Sequence, residues 1–260
     1  MTRRSGGFSL VEVLIAMAVT VTFTGALMSL ILAGETIARM QPEAADVQQR
    51  ARIVLQTLGA ELARAGAGLD SGPQAGPLSR YFAPIGPSSD GGVTIWYVSN
   101  REAQTTLAAP LVPGSTDAPI LNAPHCPVSD PGCAFVPAST AIVFDDSGCR
   151  DVLRIDAITT ASLQVRAGSR ACAYAPGAPV AQGEVRTYRV DPAARQLLRR
   201  DEATGLSIPV LDGVTALTIE YLDAGRLLRL TIRIAAGIPN PRVPDLELSL
   251  DVRPPNLQGP

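Results

Sequence analysis

Two absences narrow the range of functions that this sequence supports. Its 260 residues include no lysine and a single histidine, so all 22 basic side chains that accompany the 24 acidic ones are arginine. These arginines form no basic block, which argues against a dedicated nucleic-acid-binding face. The chain also has none of the G-x-S-x-G, P-loop or H-E-x-x-H motifs. The sequence therefore predicts a protein that is not an enzyme and uses no cofactor.

Charge is also missing from one long segment near the N-terminus. Residues 13–34 contain neither a charged residue nor proline. As a helix rising about 1.5 Å per residue, they would span roughly 33 Å, enough to cross a hydrocarbon core of about 30 Å. Glu12 lies at the edge of this segment. A charge at the centre of the bilayer costs about 2.5–3.5 kcal/mol, and a charged residue in such a segment is a functional candidate by default. A plain single-pass anchor with an accidental glutamate is the simpler alternative.

The residues before the apolar segment do not form an ordinary signal peptide. A secretory signal is cut after its apolar stretch, whereas the small pair Gly6-Gly7 precedes it here. A cut at this pair would leave the hydrophobic helix on the mature chain. Arg3 and Arg4 would keep the leader on the cytoplasmic side and direct the rest of the chain outward.

The segment Gly7-Phe8-Ser9-Leu10-Val11-Glu12, followed by an apolar helix, resembles the N-terminal signature of type IV pilins and type II secretion pseudopilins. The resemblance implies cleavage by prepilin peptidase between Gly7 and Phe8, and N-methylation of Phe8. Glu12 matches the glutamate at the fifth mature position of that family. It would pair with the Phe8 amine of a neighbouring subunit and set the register of assembly. Unlike many major pilins, the chain has no proline within residues 13–34.

The helix is predicted to continue beyond the membrane as an amphipathic segment over residues 42–66. Pro42 would kink or restart it, and Gly66 and Gly68 would end it. One stripe has helical spacing and is predicted to face a β-domain: Val47, Ala51, Val54, Leu55, Leu58, Leu62 and Ala65. The charged side chains are predicted to lie on other faces: Asp46, Arg50, Arg52, Glu61 and Arg64. Residues 49–66 also resemble this segment in W-type minor pilins and J-type pseudopilins.

The remainder of the chain reads as β-structure interrupted by glycine and proline. Residues 66–92 form a connector, and residues 108–139 form a long loop of the functional or mobile kind. Strands are predicted at Val93–Val98, Thr140–Phe144, Val152–Ile158, Leu163–Arg166, Val185–Val190, Gln196–Arg199, Val214–Leu222 and Arg226–Ile234, with a last one at 246–252. Asp191-Pro192-Ala193-Ala194 and Asp223-Ala224-Gly225 are predicted hairpin turns. The expected fold is α+β and pilin-like, with a long N-terminal helix packed on an antiparallel sheet.

Three units follow from this pattern. Residues 1–7 would be a cleaved leader, and residues 8–66 the helix, with 8–37 in the membrane or filament core. Residues 67–260 would form a β-rich domain outside the cytoplasm. In the strand 226–234, Leu228, Leu230, Ile232 and Ile234 alternate with Arg229, Thr231 and Arg233, which indicates one buried and one solvated face. The arginines of this sheet, Arg226, Arg229 and Arg233, are most simply part of the solvated face. A docking surface for neighbouring subunits is the alternative role of these arginines.

Four cysteines follow the apolar segment, an even number that favours disulfides in an exported domain. The preferred pairs are Cys126–Cys133, around a short loop, and Cys149–Cys172, around a hairpin that would need a β-bulge to bring its cysteines opposite each other. A zinc site formed by these cysteines with His125 lacks the usual CxxC spacing. A calcium site formed by Asp145, Asp146 and Asp151 lacks EF-hand spacing, so an acidic turn is preferred.

The functional hypothesis is a minor pilin that primes assembly of a type IV pilus. The size of the chain and the resemblance of residues 49–66 and 211–222 to W-type and J-type proteins favour this role over the bulk subunit. The implied partners are prepilin peptidase, other major and minor pilins or pseudopilins, and an inner-membrane assembly platform. The chain would lie in the inner membrane before entering the filament. Two alternatives stay open: a J-type pseudopilin of a type II secretion system, and a membrane-anchored extracytoplasmic binding domain.

Overall fold

The computed structural model describes residues 9–70, 75–166, 171–223, 227–235 and 245–257, without the side chains of residues 36, 37, 39–41, 43 and 44. The predicted leader, residues 1–7, and Phe8 therefore lie outside the described residues. So do Arg226 and most of the predicted turn at 223–225.

A single helix, α1, runs from Leu10 to Arg64 over 55 residues. It continues through Pro42, so the predicted restart at this position is wrong. Proline removes one backbone donor, and this proline lies at an exposed position within the helix, where the loss of one hydrogen bond does not end it. The helix ends before Gly66, whose φ of 75° suits a residue without a side chain. The Gly66 N–H donates to the carbonyl of Trp96 at 2.9 Å and ties the helix end to the β-domain.

The rest of the described chain is built from short strands. A 3₁₀ helix occupies Leu78–Arg80. The strands are β1 Ile85–Pro87, β2 Val93–Val98, β3 Gln104–Thr106, β4 Asp117–Pro119, β5 Thr140–Phe144, β6 Arg150–Ile158, β7 Ser162–Val165, β8 Pro179–Asp191, β9 Gln196–Asp201, β10 Ser207–Asp212, β11 Val214–Leu222, β12 Leu227–Ile234 and β13 Leu246–Val252. The predicted α+β class is confirmed.

The strands form two sheets rather than the one sheet predicted. The larger sheet has ten strands, with the order β1-β2-β8-β5-β6-β7-β4, while β3 and β9 also pair with β8 and β10 pairs with β9. The smaller sheet has the order β11-β12-β13. The pairs between neighbouring strands are antiparallel in both, as expected from the alternating pattern. Strand β8 organises the larger sheet, because its 13 residues are long enough to pair with four other strands.

The predicted stripe on α1 is the side that packs on the β-domain. Six of its seven residues are at most 2% exposed, and Leu55 is partly buried: Val47, Ala51, Val54, Leu58, Leu62 and Ala65. They join a core with Ile95, Leu228, Leu230 and Ile232 from β2 and β12. Burial of each large aliphatic side chain contributes about 1.5–3 kcal/mol. This stripe therefore fixes the lower half of the helix, the half that includes Val47 and Leu62, to the domain.

Four strands were not predicted, because their sequences contain proline or are too short to show an alternation. β1 and β4 each end in proline, β3 is only three residues long, and β10 contains Pro209. The long loop at 108–139 is more ordered than its proline content indicates. It contains β4 and supplies six buried residues to a second core: Leu111, Ala118, Ile120, Ala123, Cys126 and Phe135.

Candidate functional site

The N-terminal part of α1, from Leu10 to Glu35, is not covered by the β-domain of the described chain. From Leu10 to Glu35, over 26 residues, the helix is apolar enough to cross a membrane and none of its residues is buried. Large aliphatic and aromatic side chains point outward on every side, with Leu10 exposed by 78% and Phe23 by 67%. An exposed apolar surface of this size requires lipid or another protein to cover it. This segment is the candidate functional site.

Glu12 lies in the first turn of the helix. The carbonyl of Ser9 accepts hydrogen bonds from the N–H groups of Glu12 at 3.0 Å and of Val13 at 3.2 Å, and these bonds start the helix. A carboxylate is favoured at this end because the helix macrodipole is positive there. Its predicted partner is the Phe8 amine of another subunit. Gly7 and Phe8 lie outside the described residues, so cleavage, methylation and the Glu12 pairing all stay predictions.

The hydroxyl groups of the apolar segment are bonded to the helix itself. The hydroxyls of Thr20, Thr22 and Thr24 donate to carbonyls one turn earlier at 2.7, 3.0 and 2.7 Å. Ser29 donates to the Ala26 carbonyl at 2.8 Å. These bonds lower the cost of placing four polar groups in lipid. These hydroxyl contacts were not predicted, although the Thr-x-Thr-x-Thr pattern at residues 20–24 signals them.

A polar contact joins α1 to the larger sheet and corrects one prediction. Glu61, expected on a solvent face, is only 7% exposed and forms an ion pair with Arg186 on β8. Arg186 also pairs with Glu184, whose carboxylate accepts a hydrogen bond from the Tyr97 hydroxyl at 3.1 Å. Burial together with the nearby carboxylates raises the pKa of Tyr97. The signal was present in the sequence, because Glu61 follows Leu58 at the three-residue step of the buried stripe.

Together, these contacts divide α1 into two functional parts. The lower half is fixed to the domain through the apolar stripe and the Glu61–Arg186 pair. The upper half projects from the domain as an uncovered apolar rod with one carboxylate near its tip. Such an arrangement suits a membrane anchor that can also pack against other helices.

Residues 2–28 match the family model described as the prokaryotic N-terminal methylation motif. The chain carries a prepilin-type N-terminus. The match supports the type IV pilin and pseudopilin families, whose members are structural proteins, and it suggests single-pass anchoring in a membrane. Comparisons with curated proteins and with solved structures found no match.

The cysteines form the two preferred pairs in the structure. Cys126 is bonded to Cys133 and Cys149 to Cys172, with Cα–Cα distances of 5.6 and 6.3 Å. The β6–β7 pairing shifts register between Ile155 and Ala157, which is an irregularity of the kind needed in this hairpin. A disulfide sulfur is not a free thiolate, so these cysteines are not available to the alternative zinc site with His125 in this structure.

Two of the acidic residues of the alternative calcium site, Asp145 and Asp151, accept hydrogen bonds from different groups. A carboxylate oxygen of Asp145 accepts hydrogen bonds from the N–H and hydroxyl of Ser147 and from the Cys149 N–H. Asp151 instead accepts a hydrogen bond from the Tyr174 hydroxyl at 2.9 Å. Among the described residues no cluster of three potential metal ligands occurs. The acidic turn is therefore the interpretation that the contacts favour.

The arginines on the smaller sheet are each matched by a carboxylate on the neighbouring strand. Arg229 pairs with Asp251 at 2.9 Å, and Arg233 pairs with Glu247 at 2.7 Å. Leu228, Leu230, Ile232 and Ile234 are buried on the other face, which confirms the alternation predicted for β12. The cross-strand pairs explain these arginines as part of a solvated face.

Proposed function

We propose that this chain is a minor pilin that helps to prime a type IV pilus. The observation that carries the proposal is the combination of a prepilin-type motif with a 26-residue apolar helical segment that nothing in the described chain covers. Prepilin peptidase would cut between Gly7 and Phe8 on the cytoplasmic side and methylate Phe8. The chain would wait in the inner membrane, with its β-domain in the periplasm, until an assembly platform moves it into the filament.

Glu12 would set the register of the helix within the filament. Once the leader is removed, the N-terminus carries a cationic amine, because α-amino groups have pKa values near 8. In lipid each charge is costly when alone, whereas pairing Glu12 of one subunit with the amine of its neighbour removes much of that cost. A heterologous contact of this kind repeats without closing, as a filament requires.

The first test is the intact mass and N-terminal sequence of the protein recovered from membranes of its host. We expect a chain that begins at N-methylated Phe8. A chain that still carries residues 1–7, in a host with an active prepilin peptidase, would rule out the filament role and favour a simple anchored domain.

The second test replaces Glu12 with glutamine and uses Glu35→Gln, at the far end of the same segment, as the matched control. Loss of a buried partner charge costs more than 1.4 kcal/mol, or about tenfold in an equilibrium. We therefore expect Glu12→Gln to reach the membrane and be cleaved, yet to fall at least about tenfold in sheared filaments. Normal incorporation of Glu12→Gln would refute the register role.

Co-purification with pilus or with secretion-system subunits distinguishes a minor pilin from a J-type pseudopilin.

A further inference from the structure

A cleft of about 650 Å³ opens on the side of the larger sheet that faces away from α1. Strand β2 establishes this geometry, because successive side chains of a strand point to opposite faces. Ile95 and Tyr97 pack in the core beneath α1, whereas Thr94 and Trp96 line the cleft. The cleft is therefore separate from the surface that α1 covers.

The cleft contains a guanidinium without a carboxylate partner. The Arg150 guanidinium carbon lies 4.8 Å from the ring centre of Phe82 and 5.3 Å from that of Trp96. No carboxylate within the described part of the chain forms an ion pair with Arg150. Burial lowers the pKa of this group, which nevertheless stays cationic at neutral pH. Two aromatic rings therefore hold a partly dehydrated positive charge in place at the cleft.

Three more arginines line the cleft. Arg154 and Arg200 are only loosely compensated, whereas Arg166 donates two hydrogen bonds to Asp156, at 3.1 and 3.4 Å. Arg154 lies 4.0 Å from Asp156, which it shares with Arg166, and Arg200 lies 3.7 Å from Glu202. These two longer contacts exceed hydrogen-bond distance, and the Nε atoms of Arg154 and Arg200 are buried without an acceptor. Arg154 and Arg200 are therefore only weakly neutralised, and their charges keep the cleft positive.

The carboxylate that follows Arg150 in the sequence already accepts hydrogen bonds from other groups. Asp151 follows Arg150 and also lines the cleft. Its oxygens accept hydrogen bonds from the N–H groups of Ala171 and Cys172 at 3.3 Å and from the Tyr174 hydroxyl at 2.9 Å. Asp151 therefore stabilises the loop around Cys172 rather than neutralising its arginine neighbour.

We propose that this cleft binds the carboxylate or phosphate group of a small, hydroxyl-rich molecule, with Arg150 as the main anchor. Guanidinium groups recognise such oxyanions through charge-assisted hydrogen bonds. The volume exceeds that of a lone oxyanion and is typical of small-molecule sites, while Ser88, Ser89 and Thr94 provide hydroxyls along its wall. A nucleic-acid strand fits less well, because the four arginines are accompanied by three carboxylates and one tryptophan supplies the only large ring in the lining.

The chain contains a single tryptophan, Trp96, so its fluorescence reports on this cleft alone. We would titrate the full chain in detergent micelles with glucuronate and with glucose 6-phosphate, using glucose as the neutral comparison. We expect a saturable change with one or both anions and none with glucose. Since a hydrogen bond to a charged group is worth about one to two powers of ten in affinity, Arg150→Gln should weaken binding about 10- to 100-fold.

Two further variants keep the test decisive. Arg229→Gln, on the other sheet, is the matched control and should bind like the unaltered chain. Arg200→Gln tests the same cleft if Arg150→Gln does not fold, and should weaken binding several-fold. Equal responses to glucose, or unchanged affinity in a folded Arg150→Gln or Arg200→Gln chain, would overturn the proposal. Tighter, Arg150-dependent binding of a single-stranded oligonucleotide would overturn the small-molecule assignment. The measurement needs no filament, so its outcome is independent of the assembly role.

Discussion

The ion pair between Glu61 and Arg186 should control how firmly α1 is held on the β-domain. Glu61 is 7% exposed, and its carboxylate lies against a guanidinium from β8, the strand that organises the larger sheet. Arg186→Met would leave this carboxylate buried without its counter-charge. Breaking a buried pair in this way costs about 3–5 kcal/mol. For a domain of this size, about 3 kcal/mol corresponds to a melting temperature lower by roughly 6–12 °C.

Replacing Glu61 instead of Arg186 should lower the stability less, because Arg186 keeps other partners when Glu61 is removed. In Glu61→Leu, Arg186 keeps its ion pair with Glu184 and its position near the Tyr97 ring, 5.8 Å from the ring centre. We therefore expect a loss of about 1 kcal/mol, near the centre of the range for ordinary substitutions. The double variant Glu61→Leu/Arg186→Met removes both charges. Its free energy of unfolding should be close to that of the unaltered chain, since apolar replacement of a buried ion pair is often neutral.

Urea unfolding followed by Trp96 fluorescence would measure these differences, since Trp96 lies on β2 beside the affected strand. Arg229→Met, which breaks an exposed cross-strand pair, serves as the control and should lower the free energy of unfolding much less than Arg186→Met does, because exposed ion pairs contribute little. An Arg186→Met loss below about 1 kcal/mol, or a double variant as unstable as the sum of the singles, would refute the reasoning.

Two further predictions concern the β-domain. Replacing Cys149 and Cys172 with serine opens a loop spanning 23 positions. The chain-entropy relation predicts that the free energy of unfolding falls by about 3 kcal/mol. Chemical unfolding under non-reducing conditions would measure this loss, and an unchanged midpoint would contradict the prediction. Hydrogen bonds from Arg229 lower the pKa of Asp251, so their stabilising contribution is present above the ordinary aspartate pKa and is lost as the pH falls through the lowered one. In Arg229→Gln the Asp251 pKa, followed by NMR, should rise toward its ordinary value, and an unmoved pKa would show that Arg229 is not the cause.

The helical half of the fold was predictable because its signals are local. The apolar segment is continuous and the stripe from Val47 to Ala65 repeats at helical spacing, so both could be read without knowing what lies opposite. The alternation in β12 was equally clear, since one face is buried against α1 and the other carries Arg229 and Arg233. The same periodicity could not indicate that β11, β12 and β13 form a sheet of their own.

Contacts between distant residues were beyond local patterns. Glu61 reads as a surface charge until Arg186, 125 residues later, is placed against it. Proline-punctuated segments such as residues 108–139 read as loops, although cross-strand bridges and buried side chains order them. The arginine cleft is the clearest case, because Phe82, Trp96 and Arg150 become neighbours only when β2 and β6 join the same sheet.

The alternation of a single strand separates the two proposed functions in space. The side chains of Ile95 and Tyr97 face α1 and support the helix that would enter the membrane and the filament core. Those of Thr94 and Trp96 face the cleft, on the opposite surface. Contacts made through α1 alone would leave the cleft accessible, because they lie on the other face of the sheet. A filament subunit built in this way can contribute to a polymer through one face of its sheet and bind a soluble anion through the other.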